Sequence, residues 1–451
     1  MSSTAAPKGA MDRYFKLSER GSSLRQEVIA GITTFAAMAY IIAVNPAIMS
    51  QAGMDRGDLV IATALAAIFG SVMMGLAANL PLAVAPAMGS NVIFAFILVK
   101  QMGVPWQGAL AMVAFTGVIF LLLSVTRLRE KVARDVPEVL KVGISAAVGA
   151  FIVFIALRGA GFVVANPSTL IAMGSLKQPA VLLTLVGILL TPVLVARRVP
   201  GALVISIAAL TIIGFFVPLP NGQMMTRAPE SIFAWPHWPA STFMALDFSY
   251  LFTHFFVVLP VLFYFLCGEF FSTLATLIGV TSAAGLRKPD GSIPNATAAF
   301  VTDASATIVG PVLGTSVVTA YIESVTGVQA GGRTGLTSLV VAAAFVLSLA
   351  IWPVFTIIPA QATAPALVVV GVLMLQGVAR LDMTDLTNAV PVSLTLLLTV
   401  LTNNLINGMA LGTLSFILLN LALGRGREVT GVVWGLGVIF VAYLVVMARF
   451  M

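Results

Sequence analysis

Long apolar runs, broken by short polar stretches rich in Gly, Pro and charge, fill almost all of this chain. A membrane-spanning helix needs about 20 predominantly apolar residues. By that measure the first half predicts spans at 28–49, 59–78, 82–99, 106–126, 142–157, 180–196 and 202–217. A polar loop follows over 218–249. The second half predicts spans at 250–280, 296–309, 315–328, 336–352, 364–379, 389–402 and 409–423. That makes fourteen. A further apolar segment, 429–448, either spans or lies in the interface. The fold class is all-α and polytopic, because a membrane β-barrel shows short alternating segments instead of continuous apolar runs.

Composition agrees with the pattern. Of 451 residues, 59% are hydrophobic and 9% charged, against about 25% charged in a soluble domain. The net charge of +7 is dispersed over loops, so membrane orientation explains it better than a nucleic-acid face does, and no nucleic-acid partner is expected. With the N-terminus inside, most of the 24 Lys and Arg fall on inside loops, among them Lys8, Arg127, Arg129, Lys131, Arg134 and Lys288. Outside loops and nearby span ends carry Arg56, Lys100, Arg158, Lys177 and Arg227. This asymmetry is the positive-inside bias. It predicts a bacterial-type inner (plasma) membrane protein with a cytoplasmic N-terminus. The single cysteine, Cys267, excludes an internal disulfide. No phosphate-binding loop and no metal-ligand spacing occurs, so no cofactor or metal is expected.

The halves echo one another. Pro86-Ala-Met-Gly89-Ser90 and Pro311-Val-Leu-Gly314-Thr315 share a pattern 225 residues apart. A looser echo links Ser145-Ala-Ala-Val with Thr363-Ala-Pro-Ala, 218 apart. Seven spans per half put the second half in the opposite orientation, an inverted repeat of the kind that suits alternating access. Proline and glycine at these points predict broken helices in spans 3 and 10. Irregular backbone at membrane depth is tolerated only where protein buries it or water reaches it. The plainer reading is that these small residues let helices pack closely.

Three acids fall inside predicted spans: Glu269, Asp303 and Glu323. A carboxylate at that depth costs several kcal/mol without a partner and is a functional candidate by default. Glu323 lies in Thr315-Ser-Val-Val-Thr-Ala-Tyr-Ile-Glu323-Ser324, a stretch of small polar residues. Asp303 is either a structural clamp on neighbouring helices or part of a proton relay with the other two. The remaining polar candidates look ordinary. His237 is expected exposed in the loop, His254 interfacial, Asn403, Asn404 and Asn407 helix caps, and Trp235 and Trp238 part of the outer aromatic belt.

At these residues the chain resembles a known family. Glu27-Val-Ile-Ala-Gly-Ile-Thr-Thr-Phe-Ala-Ala-Met-Ala-Tyr-Ile-Ile-Ala-Val-Asn45-Pro46 is similar to the first span of azaguanine-type purine permeases. Thr315 to Ser324, followed by Gly331-Gly-Arg-Thr-Gly-Leu336, resembles their tenth-span signature, and Ala362-Thr-Ala-Pro-Ala-Leu with Gly371-Val-Leu-Met374 resembles a third motif. The likeness runs over about 11–447. It places the chain in the nucleobase–cation symporter, or xanthine–uracil permease, group.

That resemblance implies two inverted repeats of seven spans, with a core domain that carries substrate and a gate domain. On this chain it maps to a cytoplasmic segment 1–27, core parts 28–126 and 250–352, gate parts 127–217 and 353–423, an extracytoplasmic loop 218–249 and a hydrophobic tail 424–451. It implies proton-coupled uptake of hypoxanthine, guanine or adenine by an elevator-like core, with protons preferred to sodium, lipid around it and a homodimer as assembly. The substrate-site residues it suggests are Glu323, Ser272, Glu269, Thr273, Asn91, Ser90, Val92, Ser316, Thr319 and Ser324; Glu323, Glu269 and Asp303 are the proton-coupling candidates. The chemistry suits a base, because carboxylates accept from paired N–H groups. A buried carboxyl is also suited to exchange a proton as access alternates, since desolvation disfavours its charge.

The chain departs from the family at span 8. The usual Asp-x-Phe-Asp-Thr reads Glu269-Phe-Phe-Ser272-Thr273 here, so a hydroxyl stands where the second acid is usual. Span 3 departs too: Ala87 and Ser90 stand where Gly and Leu are usual, and Asn91 is kept. Transport of another heterocycle, an anion carrier on the same fold, and an intramembrane hydrolase are the rival readings. Carboxylates facing the site weigh against an anion, and the hydrolase finds no closely paired acids. The chain is therefore expected not to be an enzyme.

Overall fold

The computed structural model describes residues 10–126, 136–219, 222–229, 231–287 and 292–450. Lys8, Arg127, Arg129, Lys131, Arg134 and Lys288, placed on the inside above, lie outside the described residues. The first helices are α1 (Ala10–Phe15), α2 (Leu24–Met38), α3 (Ile41–Met49), α4 (Arg56–Met73), α5 (Met88–Val92) and α6 (Trp106–Val125). Next come α7 (Glu138–Gly159), α8 (Pro179–Ala196) and α9 (Ala202–Gly214). The second half holds α10 (Ser249–Thr253), α11 (Phe255–Ala283), α12 (Ala296–Leu313), α13 (Ser324–Gln329), α14 (Gly335–Ser348) and α15 (Trp352–Thr356). The chain ends with α16 (Ala360–Leu375), α17 (Leu386–Leu401), α18 (Leu405–Ala422) and α19 (Gly431–Phe450).

Four short strands complete it: β1 (Val84–Pro86), β2 (Val163–Asn166), β3 (Leu170–Met173) and β4 (Val318–Ala320). β2 and β3 form a hairpin between α7 and α8. β1 and β4 come from opposite halves of the sequence and pair antiparallel. Each lies just ahead of a helix that starts partway through its predicted span. After β1, α5 continues through wider π-helical turns to Gln101.

The helices sort into two packed groups. α2 to α6 pack mainly on α12, α13 and α14, while α7 to α9 pack on α16 to α18. Small residues set the closest crossings. A Cβ on Gly149 would stand 2.5 Å from the carbonyl oxygen of Gly371, so α7 and α16 meet backbone to backbone. Gly327 does the same for α13, where a Cβ would meet the Ala30 carbonyl of α2 at 2.5 Å. Gly371 falls in a motif that carries the family resemblance.

Nine helices among the described residues are long and apolar enough to cross a membrane. Against the fourteen expected from the apolar runs, the described residues add shorter apolar helices at Met88–Gln101, Ala202–Gly214, Ser272–Ala283, Leu386–Leu401 and Gly431–Val445. The predicted third span has only Met88–Gln101 as helix, about 21 Å at 1.5 Å per residue, short of a hydrocarbon core of about 30 Å, with β1 just ahead of it. The tail at 429–448 is a helix, α19, that packs on α18 and α11. Its Val433 and Phe440 are buried, and its Tyr443 hydroxyl donates to Asn407 Oδ1 at 3.1 Å. Asn404 caps α18, as expected, by accepting from the amides of Ile406 and Asn407.

Two expectations need correction. Pro311 lies inside α12, and Gly314, at φ 96°, is that helix's left-handed cap. The second break is therefore not at Pro311–Thr315, and the partner of Val84–Pro86 is Val318–Ala320. Buried acids also number more than the three expected. Glu27, read as part of the polar N-terminal segment, is fully buried, and Asp58 nearly so. His237 is exposed in the loop, as expected, and is also anchored there: its Nε2 pairs with Asp58 Oδ1 at 2.7 Å, and its ring meets Trp352 edge-on.

Glu27 holds the start of α14. It accepts from the amides of Arg333 (2.9 Å), Thr334 (3.3 Å) and Thr337 (3.2 Å), and from the Thr337 hydroxyl (2.5 Å). The first amides of a helix lack partners within it, and a carboxylate there also meets the positive end of the helix dipole. Arg333 finishes the neighbouring half-helix by donating to the Val328 carbonyl at 2.6 Å. The Gly331-to-Leu336 motif is thus a joint between two helix ends.

Candidate functional site

The crossing of β1 and β4 is the frame of the site. Val84 faces Ala320, Ala85 faces Thr319 and Pro86 faces Val318. The Ala87 amide donates to the Val317 carbonyl (2.8 Å), and the Tyr321 amide to the Ala83 carbonyl (2.9 Å). The Tyr321 hydroxyl reaches back to the Pro86 carbonyl at 2.5 Å. Backbone groups that a continuous helix would pair internally are paired here between the two arms, which is how an irregular segment is tolerated at this depth. α5 and α13 then leave the crossing.

Glu323 stands at the start of α13, half-buried, with the Tyr40 hydroxyl donating to its Oε1 at 2.7 Å. Tyr40 is buried at the interruption between α2 and α3. Beside Glu323, Ile322 is 51% exposed, so this part of the tenth-span arm reaches an open surface.

Glu269 lies on α11 and is 5% exposed. Ser90, at the start of the third-span helix, donates its hydroxyl to Glu269 Oε1. The other oxygen, Oε2, is buried without a partner among the described residues. Asp303, on α12, is more fully engaged. Its Oδ2 accepts from Thr273 (2.5 Å) and Thr319 (3.4 Å), and its Oδ1 from the Ala320 amide (2.8 Å). Thr273 and Thr319 are also 2.9 Å apart. Asp303 therefore clamps β4 to α11 and α12, the geometry of the structural alternative.

Asn91 bonds to span 1 rather than to these acids. Its Nδ2 donates to Asn45 Oδ1. Asn45 Nδ2 donates to Thr63 (2.7 Å) and Thr315 (2.9 Å). Ser324 accepts from the Ala83 amide at 3.0 Å and so fastens the entry to β1. Ser316 is fully buried, its hydroxyl without a partner among the described residues, and Val92 is buried apolar wall. Ser272 stays outside the buried network: it is exposed, as is Ala275 beyond it, while Glu269 and Thr273 on the same helix face inward.

The structure thus joins Ser90 to Glu269, and Thr273 to Thr319 and Asp303. Glu323 is apart from both groups and is held by Tyr40. Sequence reasoning missed Tyr40, Asn45, Thr63 and Thr315 as partners. Tyr40 and Asn45 interrupt the first apolar run, which is the one local signal they carry.

The comparisons with known proteins agree with this architecture. Residues 25–408 match the Permease family, Xan_ur_permease. The chain is similar to the adenine permease AdeP of Escherichia coli, with 38% identity over 438 residues, covering 97% of this chain and 96% of that one. It is 40% identical over 442 residues to the guanine/hypoxanthine permease PbuO of Bacillus subtilis, covering 96% and 100%. In structure it resembles the transmembrane domain of a cyanobacterium bicarbonate transporter, BicA, with a TM-score of 0.63 at 18% identity, over 85% of this chain and 97% of that one. The last likeness speaks for the fold alone.

Proposed function

The chain belongs to the Permease family, and from that premise we propose that it carries a purine nucleobase into the cell together with protons. The observation that carries the reading is the crossing of β1 and β4, with Glu323, Glu269 and Asp303 gathered around it on three separate elements. Relatives that cover nearly the whole chain are named for adenine and for guanine/hypoxanthine transport. A purine offers ring N–H donors, and carboxylates accept them with geometric selectivity. Buried acids are poor hosts for an anion, which weighs against an anion carrier on this fold.

The architecture we propose has fourteen membrane segments in two inverted repeats of seven. Pairing of β1 with β4, one from each half and antiparallel, supports that symmetry. The α2–α6 and α10–α14 group, residues 28–126 and 250–352, is the moving core. The α7–α9 and α16–α18 group, 127–217 and 353–423, is the gate, and two chains pair through it. Alternating access moves the core past the gate as in an elevator. The N-terminus is cytoplasmic, 218–249 is the extracytoplasmic loop, and the membrane is the bacterial-type inner membrane. Glu323 and Glu269 recognise the base and take part in proton exchange, with Ser90, Thr273 and Thr319 orienting them. Protons rather than sodium drive uptake.

Uptake of labelled hypoxanthine, guanine, adenine, uracil and sulfate into proteoliposomes tests this, with and without an imposed proton gradient. Gradient-dependent accumulation of a purine is the expected result. Sulfate uptake without uptake of any base would overturn it.

A further inference from the structure

One buried polar chain is not accounted for by the acids. Thr63 on α4 donates its hydroxyl to the Leu59 carbonyl at 2.6 Å. A hydroxyl has one proton, so toward Asn45, 2.7 Å away, Thr63 can only accept. That requirement orients the Asn45 carboxamide. Its Nδ2 faces Thr63 and Thr315, and its Oδ1 faces Asn91. An oxygen there demands a donor, so Asn91 presents its own Nδ2. The Oδ1 of Asn91 is then turned the other way, fully buried and without a partner among the described residues. The polarity of one backbone carbonyl is passed through Thr63 and Asn45 to Asn91.

Unpaired buried acceptors are rare and ask for an explanation. This one stands next to Ser90, which holds Glu269, at the start of the third-span helix. On the facing arm Thr315 shares Asn45, and the adjoining Ser316 hydroxyl is also buried and unpaired among the described residues. Two arms of the crossing thus each carry an unsatisfied polar group.

We propose that Thr63 and Asn45 are positioning residues that lock Asn91 as a hydrogen-bond acceptor, so that the transported ligand must supply an N–H donor at that point. The proposal rests on the nucleobase reading and deepens it. It assigns the Asn91 contact to a protonated ring or exocyclic nitrogen of the base, never to a bare ring nitrogen or carbonyl. A site built this way rejects an analogue that lacks the donor, because the acceptor stays unpaired.

The test uses the full-length transporter in proteoliposomes. Unlabelled purines, and the same purines methylated at each nitrogen in turn, compete with uptake of the labelled base. In the parent, blocking one particular N–H weakens competition by about 10–100-fold, the worth of one buried hydrogen bond. Thr63→Val removes the acceptor that orients Asn45, so both amides can turn over. The penalty for that one analogue then falls to a few-fold, and Thr63→Ser restores it. Thr63→Ala gives the same loss if the valine variant does not assemble. An unchanged penalty in a Thr63→Val or Thr63→Ala protein that still transports overturns the proposal alone. A parent that takes up no base overturns the nucleobase reading and this proposal with it.

Discussion

Tyr40→Phe is the sharpest perturbation available at Glu323. It deletes one oxygen, leaves the buried ring in place and opens no cavity. What is lost is the 2.7 Å hydrogen bond from the phenol to Glu323 Oε1. A bond to a charged acceptor contributes about 1.5–3 kcal/mol. Glu323 is only half-buried, so water recovers part of the loss, and the lower end of that range applies. About 1.5–2 kcal/mol corresponds to a roughly 10–30-fold weaker apparent affinity, if the bond aims the carboxylate at the base. The assay is the kinetics of base uptake in proteoliposomes, normalised to inserted protein. KM should rise by that factor while the maximal rate stays within a few-fold. The double variant Tyr40→Phe with Glu323→Gln should be no worse than Glu323→Gln alone, because both changes break the same contact. A Tyr40→Phe protein with KM within about twofold of the parent would refute the argument that Tyr40 positions Glu323.

The other expectations concern the remaining carboxylates. Glu323→Gln should abolish concentrative uptake, and a variant that accumulates base like the parent makes Glu323 structural. Glu269→Gln should impair the response to a proton gradient more than competition by unlabelled base; an unchanged gradient dependence removes Glu269 from coupling. Glu27→Ala leaves the Arg333 and Thr334 amides and the Thr337 hydroxyl at the start of α14 without this acceptor, while the Thr337 amide keeps the Thr334 carbonyl. Each unsatisfied buried donor costs about 1–3 kcal/mol, so thermal unfolding of the purified protein should come well below that of the parent. A melting temperature equal to the parent's would mean that water replaces the carboxylate.

Most of the helical layout was legible because apolar runs and polar breaks map directly onto membrane depth. The spans at 59–78, 106–126 and 180–196 match α4, α6 and α8 to within a few residues at either end. What misled was the repeat. Pro-x-apolar-Gly reads alike at either end of a helix. At Pro86 it precedes one, while at Pro311 it closes one, since glycine is the favoured left-handed cap. Only strand pairing, a contact between residues more than 200 apart, tells the two apart. Glu27 was hidden for a related reason. It sits where the polar N-terminal segment meets the first apolar run, and its burial depends on helix ends contributed from residues 333–337.

The three acids at the crossing stood out in sequence because each is costly in an apolar run, but that cost could not rank them. Their hydrogen bonds do. Asp303 is saturated: both oxygens accept, one from the backbone of β4 itself, so moving it would unfasten the crossing. Glu269 is bound through one oxygen to Ser90 and keeps the other buried and unpaired among the described residues. Such a group gains most from a donor that arrives, whether a proton or an N–H. Glu323 has one oxygen on Tyr40 and is half-buried, the most accessible of the three. Ser272, exposed beside this set, does not supply the second span-8 acid that the family pattern leads one to expect. On the proposed function, recognition of the base falls on Glu323 from the tenth-span arm and on Glu269 from α11, the first held by a tyrosine of span 1 and the second by a serine of span 3.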